Sequence, residues 1–249
     1  MRRAPSPYAP SFSFGPGPVT FAVKVILIAN IAVYVLTLLA PYLLRWFGLQ
    51  PQAILEQGRI WQAVTYMFLH HRDPFHVLFN MLGIWMFGVQ LERLWGTPFF
   101  VRYYFVTGVG AALTTILVGL LPFTFADEVY YAITIGASGA LYGLLFAFAY
   151  YYPDRPILMF LLFPIPAKYF VMILGGIAFL SSISGGSTIA HATHLGGLVA
   201  GFIYLKSHGR GGRGGGLMAE LKYRWVKWKM NRMRARFDVH SGGRDRTVH

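Results

Sequence analysis

The sequence predicts an all-α polytopic membrane protein, a bundle of six transmembrane helices with a long first extracytoplasmic loop. Three observations carry this expectation. Of 249 residues, 55% are hydrophobic and 12% are charged, against about 25% charged in a soluble domain, and the mean hydropathy is +0.50. Six segments approach the ~20 apolar residues that a spanning helix needs. Positive charge gathers at the C-terminal end of the chain, as it does on the cytoplasmic flank of membrane proteins.

Residues 1–18 hold Pro5, Pro7, Pro10, Pro16 and Pro18 with Arg2 and Arg3. They read as a short disordered lead, with no cleavable signal peptide. One membrane domain, 19–205, follows. Its first span is 19–40. The loop 41–75 is long and amphipathic, with Trp46, Phe47, Ile60, Trp61, Tyr66 and Phe68 among polar residues. Aromatic residues so placed lie at membrane surfaces, although an ordinary extracellular loop is the plainer alternative.

The second and third spans are 76–94 and 98–121. The connection 122–135 carries Asp127 and Glu128 and neither Lys nor Arg, which places it outside. Spans four to six, 136–152, 167–183 and 189–205, are short, so tilt or local thinning of the bilayer accompanies them. The stretch 153–166 is ambiguous. Its apolar part, 157–163, is too short to span and is closed by Pro164 and Pro166. It reads as interfacial or re-entrant, or as the start of a longer helix kinked at those prolines.

Residues 206–249 form a basic tail, with 12 Lys/Arg against 3 Asp/Glu of a net charge of +13. A Gly-rich linker, 209–216, leads to a basic helix, 217–239, that lies on anionic lipid or is simply solvated. Such a tail explains the charge better than nucleic-acid binding does. An even number of spans then puts both termini in the cytoplasm, in a multi-pass protein of the cell inner or plasma membrane. Arg45, Arg59 and Arg72 in the first loop oppose this orientation and are outweighed by the tail. Cysteine is absent, which excludes disulfides, thiolate catalysis and Cys-ligated zinc.

Ionisable and nucleophilic side chains are costly in a bilayer and usually functional. Ser138 lies in Gly136-Ala137-Ser138-Gly139 at the start of the fourth span. There its backbone N–H is one of the unpaired donors of a helix start and favours negative charge. His194 lies 56 residues later, inside the sixth span. It shares a helix face with Gly197 and Gly201, while the serine helix carries Gly139 and Gly143 at the same spacing. Two glycine-faced helices can approach closely, so that a neutral imidazole can take the serine proton. Small residues for packing and a histidine as helix glue are the bland readings. His191, one turn before His194, competes for the base role. Zinc is set aside because no His-Glu-x-x-His pattern accompanies the pair. Tyr142 shares the face of Ser138 and can orient the imidazole. No carboxylate is near in sequence, so a dyad is expected, not a triad. His76 and Asn80, four apart at the start of the second span, can both donate to an oxyanion or merely join helices.

Together these residues resemble the rhomboid family of intramembrane serine proteases. The resemblance covers about 58–205. It includes Trp61 and His70, His76 to Asn80, Leu91-Glu92-Arg93, Gly136 to Gly139 with Tyr142, and His194 with Gly197 and Gly201. It implies six helices around a water-accessible cavity open to the outer face. Ser138 would be the nucleophile, His194 the general base and Tyr142 its stacking partner. The Ser138 N–H, His76 and Asn80 would form the oxyanion hole. The first loop would lie partly in the outer leaflet and the fifth helix would be a lateral gate. Substrates would be single-span membrane proteins, cut without cofactor or metal. Two features depart from the family pattern: Gln62 follows Trp61 where the family commonly has Arg, and Asp73-Pro74 precedes His76. A catalytically silent rhomboid-like protein that binds membrane clients is the alternative; such proteins usually lack the serine or the histidine. A transporter or channel fits less well, because the spans show no duplication.

Overall fold

In the computed structural model, residues 15–159, 163–183, 188–208, 225 and 228–230 are described. The expected tail linker and most of the expected basic helix lie outside them, as do the first 14 residues of the lead. The chain divides into two units, Met1–Tyr204 and Leu205–His249. The first contains every candidate site residue.

Eleven helices are described: α1 Phe21–Leu39, α2 Leu43–Phe47, α3 Pro51–Gln57, α4 Gln62–Thr65, α5 Pro74–Gly83, α6 Val89–Trp95, α7 Thr97–Gly119, α8 Thr124–Tyr131, α9 Ser138–Tyr151, α10 Ala167–Ile183 and α11 Thr188–His208. A π-helical turn, Ile84–Gly88, joins α5 to α6 in one rod. Among the described residues, three helices are long and apolar enough to cross a membrane: Phe21–Leu39, Pro74–Trp95 and Thr97–Gly119. α9 and the stretch Ala167–Ser181 of α10 are apolar and shorter.

The burial pattern is that of a bundle packed in lipid. α7 buries Thr107, Gly108, Ala111, Ala112 and Thr115 and exposes Val106, Leu113 and Leu117. Lipid tails are as apolar as leucine, so association draws on close packing of small residues, and α7 adds the buried rings of Phe99, Phe100, Tyr103 and Tyr104. The buried threonine hydroxyls turn back to their own helix, Thr107 to the Tyr103 and Tyr104 carbonyls and Thr115 to Ala111.

Helix starts are set by carboxylate caps, one local and one from a distant segment. Asp73 accepts the Phe75 N–H at 3.0 Å and Pro74 occupies the first turn of α5. The Asp73-Pro74 pair is therefore a helix cap, where proline costs nothing because its missing N–H would be unpaired anyway. The buried Glu92 carboxylate accepts from the Thr20 hydroxyl and from the Ala22 and Val23 amides, and so caps α1; it also accepts from Thr97 at the start of α7. Arg93 donates to the Pro16 and Pro18 carbonyls, 2.6 Å each. The last residues of the proline-rich lead are thus held against the α6 end.

Two connections differ from simple loops. The first, 41–75, folds into α2 to α4 and a 3₁₀ turn, Tyr66–Phe68. Its aromatic residues divide: Trp46, Phe47 and Trp61 are exposed, whereas Tyr66 is wholly buried and donates to the Gly108 carbonyl at 2.8 Å. Gln62, in the place of the family's arginine, is also buried. Its oxygen accepts the Gln50 N–H and its nitrogen donates to the Trp46 carbonyl, so the carboxamide serves both needs of the loop without a buried charge. The second connection, 153–166, is not the start of a longer helix kinked at its prolines. It forms an antiparallel hairpin, β1 Pro156–Met159 with β2 Phe163–Pro166. α10 begins only at Ala167, since Pro164 and Pro166 cannot join a helical ladder.

Candidate active site

The segment before α9 is fastened to the first loop. Leu49 and Thr134 exchange two backbone hydrogen bonds, at 2.9 and 2.8 Å, and the Gly136 N–H donates to the Tyr66 carbonyl at 3.0 Å. Gly136 turns the chain with φ 126°, a conformation open to glycine. A β-carbon there would stand 2.9 Å from His76 Nε2 and 3.6 Å from Ser138 Oγ. The glycine therefore keeps open the space those two groups share.

α9 begins at Ser138, and its first helical bond is made by the Leu141 N–H to the Ala137 carbonyl. The amides of Ser138, Gly139 and Ala140 precede that bond, at the positive end of the helix dipole. α9 and α11 meet through their glycines. A β-carbon at Gly197 would overlap the Gly139 carbonyl, and one at Gly201 would lie 3.3 Å from the Gly143 α-carbon. The two rows are in register, residue for residue, over one turn. This contact brings His194 Nε2 to 2.8 Å from Ser138 Oγ.

Tyr142 stacks on the imidazole with ring centroids 4.2 Å apart and planes 7° from parallel. His191, the competitor, lies edge-on to His194 at 6.2 Å. His194 Nδ1 is buried with no hydrogen-bond partner. With Nε2 accepting the serine proton, Nδ1 carries the other hydrogen, and no carboxylate stands behind it among the described residues.

His76 and Asn80 face the same space. The His71 N–H donates to His76 Nδ1 at 3.4 Å, which leaves the proton on Nε2, the atom aimed at Gly136. Asn80 donates one amide hydrogen to the His76 carbonyl at 2.8 Å and keeps the second. The cavity, about 340 Å³, is lined by His76, Asn80, Gly136, Ser138 and His194 with the extended stretch 133–135. Its contents are groups that can carry out acyl transfer: a hydroxyl on a neutral base, with N–H donors beside it.

Of the residues singled out in the sequence, five line this cavity, and Tyr142, Gly139, Gly197 and Gly201 stand behind the dyad where α9 meets α11. Sequence reasoning missed Thr193, which lines the cavity and bonds the Thr115 hydroxyl at 2.7 Å, and His71, which fixes the His76 tautomer. Thr193 acts through a segment 78 residues away and His71 across the turn that precedes α5, and neither carries a sequence pattern that marks it. His70 lies beside the site, its ring 5.1 Å from that of His76. Burial lowers its pKa to about 4 and the neighbouring His76 adds to the effect.

The Rhomboid domain family model matches residues 57–209. The chain belongs to the rhomboid family. Rhomboid protein 1, mitochondrial, of Saccharomyces cerevisiae is 29% identical over 164 residues, covering 64% of this chain and 46% of the relative. Rhomboid protease GluP of Bacillus subtilis is 29% identical over 157 residues, 63% of this chain and 27% of the relative. Rhomboid-related protein 4 of Homo sapiens is 31% identical over 174 residues, 64% of this chain and 53% of the relative. The matched region thus spans between about a quarter and half of these relatives. The rhomboid domain accounts for α4 to α11 and contains Ser138, His194, Tyr142, His76 and Asn80; α1 precedes it.

Proposed function

We propose that this rhomboid-family protein is an intramembrane serine endopeptidase that cuts transmembrane segments of single-span membrane proteins. The observation that carries the reading is the 2.8 Å contact between Ser138 Oγ and His194 Nε2 inside a cavity lined by N–H donors. In this reading α1, the α5–α6 rod, α7, α9, α10 and α11 are six spans. Both termini are cytoplasmic, and the cavity faces the opposite side.

His194 takes the Ser138 proton as Oγ attacks the scissile carbonyl carbon. The oxyanion that forms is met by the Ser138 N–H, by His76 Nε2–H and by the free amide hydrogen of Asn80. One such amide donor is worth roughly 10²–10³ in rate. The imidazolium returns its proton to the leaving amine, and water, deprotonated by the same histidine, releases the acyl group. Tyr142 holds the ring in plane in place of a carboxylate. α10, with Met172, Phe179 and Leu180 exposed, is the helix that moves aside to admit a substrate from the bilayer.

The test is cleavage of a single-span model substrate in liposomes together with labelling by a fluorophosphonate. Ser138→Ala and His194→Ala each abolish cleavage, to nearly the level of the double variant, because the pair acts as a unit. Labelling requires Ser138. Wild-type protein that neither cleaves nor labels would instead be a client-binding member of the family.

A further inference from the structure

The β1–β2 hairpin lies after the C-terminal end of α9, at the end of that helix away from Ser138. Its register pairs Pro156 with Pro166, Ile157 with Ile165, Leu158 with Pro164 and Met159 with Phe163. The Ala167 N–H donates to the Arg155 carbonyl at 2.9 Å, which makes 155–167 a hydrogen-bonded pair. Alternation along an antiparallel ladder then makes 157–165 and 159–163 hydrogen-bonded, and 156–166 and 158–164 non-hydrogen-bonded. At the second kind of pair the backbone N–H points out of the hairpin. Three of those four positions are proline, and β2 has no outward donor at all.

Elsewhere such an edge would be satisfied by water. In hydrocarbon every unpaired N–H is costly, and open sheet edges are excluded for that reason. Removing the donor removes the larger part of the cost, since a carbonyl without a partner is better tolerated than an N–H. The side chains agree. Leu158 and Phe163 are exposed at 44% and 60%. The charges are confined to the base, where Lys168 pairs with Asp154 at 2.7 Å and Arg155 bonds the Gln90 side chain.

Depth follows from the neighbouring rod. Pro74–Trp95 has 22 residues, roughly 33 Å at about 1.5 Å per residue, with Trp85 near its middle. Ile157 and Leu158 share one cavity of about 570 Å³ with Trp85, Met86, Phe87 and Gln90 of the rod, together with Gly15 and Pro16 of the lead and Arg155 at the hairpin base. The arms therefore lie level with the half of the rod between its middle and its α6 end.

We propose that the β1–β2 hairpin is a re-entrant element whose outer faces contact lipid acyl chains, its outward donors deleted by Pro156, Pro164 and Pro166 and its base held by Arg155 and the Asp154–Lys168 pair. This does not depend on proteolytic activity. Because the chain has no cysteine, Leu158→Cys and Phe163→Cys can each carry a single nitroxide in the full-length protein in phosphatidylcholine–phosphatidylglycerol liposomes. Collision with oxygen is compared with collision with a water-soluble nickel chelate. Labels at 158 and 163 are expected to match a label at Leu117→Cys on the lipid face of α7, several-fold richer in oxygen contact than one at Asp127→Cys in the α8 connection. Water-like accessibility at both hairpin positions overturns the proposal. Restoring two outward donors with Pro164→Ala and Pro166→Ala, in the Phe163→Cys protein, is expected to shift that label toward the aqueous phase. An unchanged depth overturns the role given to the prolines. Should that variant fail to fold, the single-cysteine proteins still decide where the hairpin lies.

Discussion

Gly197 rests against the carbonyl oxygen of Gly139 so closely that a β-carbon on residue 197 would occupy the oxygen's place. The dyad distance is a consequence of this contact, because Ser138 adjoins one glycine and His194 sits one turn before the other. Gly197→Ala must push α11 away from α9. Overpacking of a close interface costs about 1–3 kcal/mol, and a lowered thermal midpoint should come with loss of fluorophosphonate labelling. Gly176, in α10, has open space where its β-carbon would be. Gly176→Ala is expected to be neutral or to stabilise by up to ~1 kcal/mol through helix propensity. Equal effects of the two substitutions would show that the α9–α11 contact does not set the site.

Tyr142 is expected to act through its ring. The planes are nearly parallel at 4.2 Å, so Tyr142→Phe keeps the stacking surface and should retain most of the rate. Tyr142→Ala removes a ring contact of about 0.5–1.5 kcal/mol, which predicts a loss of roughly 2–10-fold in kcat if the imidazole is oriented by stacking. A loss in Tyr142→Phe as deep as that in Tyr142→Ala would assign the work to the hydroxyl instead.

Gln62 tests the first loop. Its carboxamide joins the Gln50 amide to the Trp46 carbonyl, and Trp61 donates to that same carbonyl at 3.1 Å. Gln62→Ala leaves the part-buried Gln50 N–H without its partner and the Trp46 carbonyl with Trp61 alone, at about 1–3 kcal/mol. The loop in turn holds Thr134 and Gly136 by backbone bonds, so the lowered stability should be accompanied by slower labelling of Ser138. Unchanged stability would mean that the loop is held by its apolar contacts alone.

The helices and the Ser138–His194 contact were legible in the sequence for one physical reason. In lipid the apolar run length marks the element, and any glycine, serine or histidine inside it stands out from the solvent-like background. Helix bounds for α10 agree with the reading, and Gly139, Gly143, Gly197 and Gly201 announce their contact by spacing. The hairpin was not legible. Residues 157–163 are apolar in either conformation, and strand pairing is specified by partners across a turn, not by periodicity along one strand. The roles of His71 and Thr193 were equally hidden, since each acts through a residue far away in the chain or across a turn of the loop. Asp73-Pro74 stands out in the sequence as a departure from the family pattern, yet its role as the cap of α5 emerges only from the fold.

His70 gives a dependence on pH. It lies in the first loop, buried to 1% exposure, with the Phe68 carbonyl near its ring but not at hydrogen-bond geometry, and its pKa is lowered from 6.5 to about 4, chiefly by burial. Between those values the unfolded chain binds a proton that the folded one does not. Stability from the neutral ring is therefore complete above pH ~6.5 and is lost as pH falls toward ~4, by up to about 3 kcal/mol. The thermal midpoint should drop between pH 7 and pH 5. In His70→Phe the drop should shrink. A midpoint that fell equally in both proteins would show that the dependence does not arise at His70.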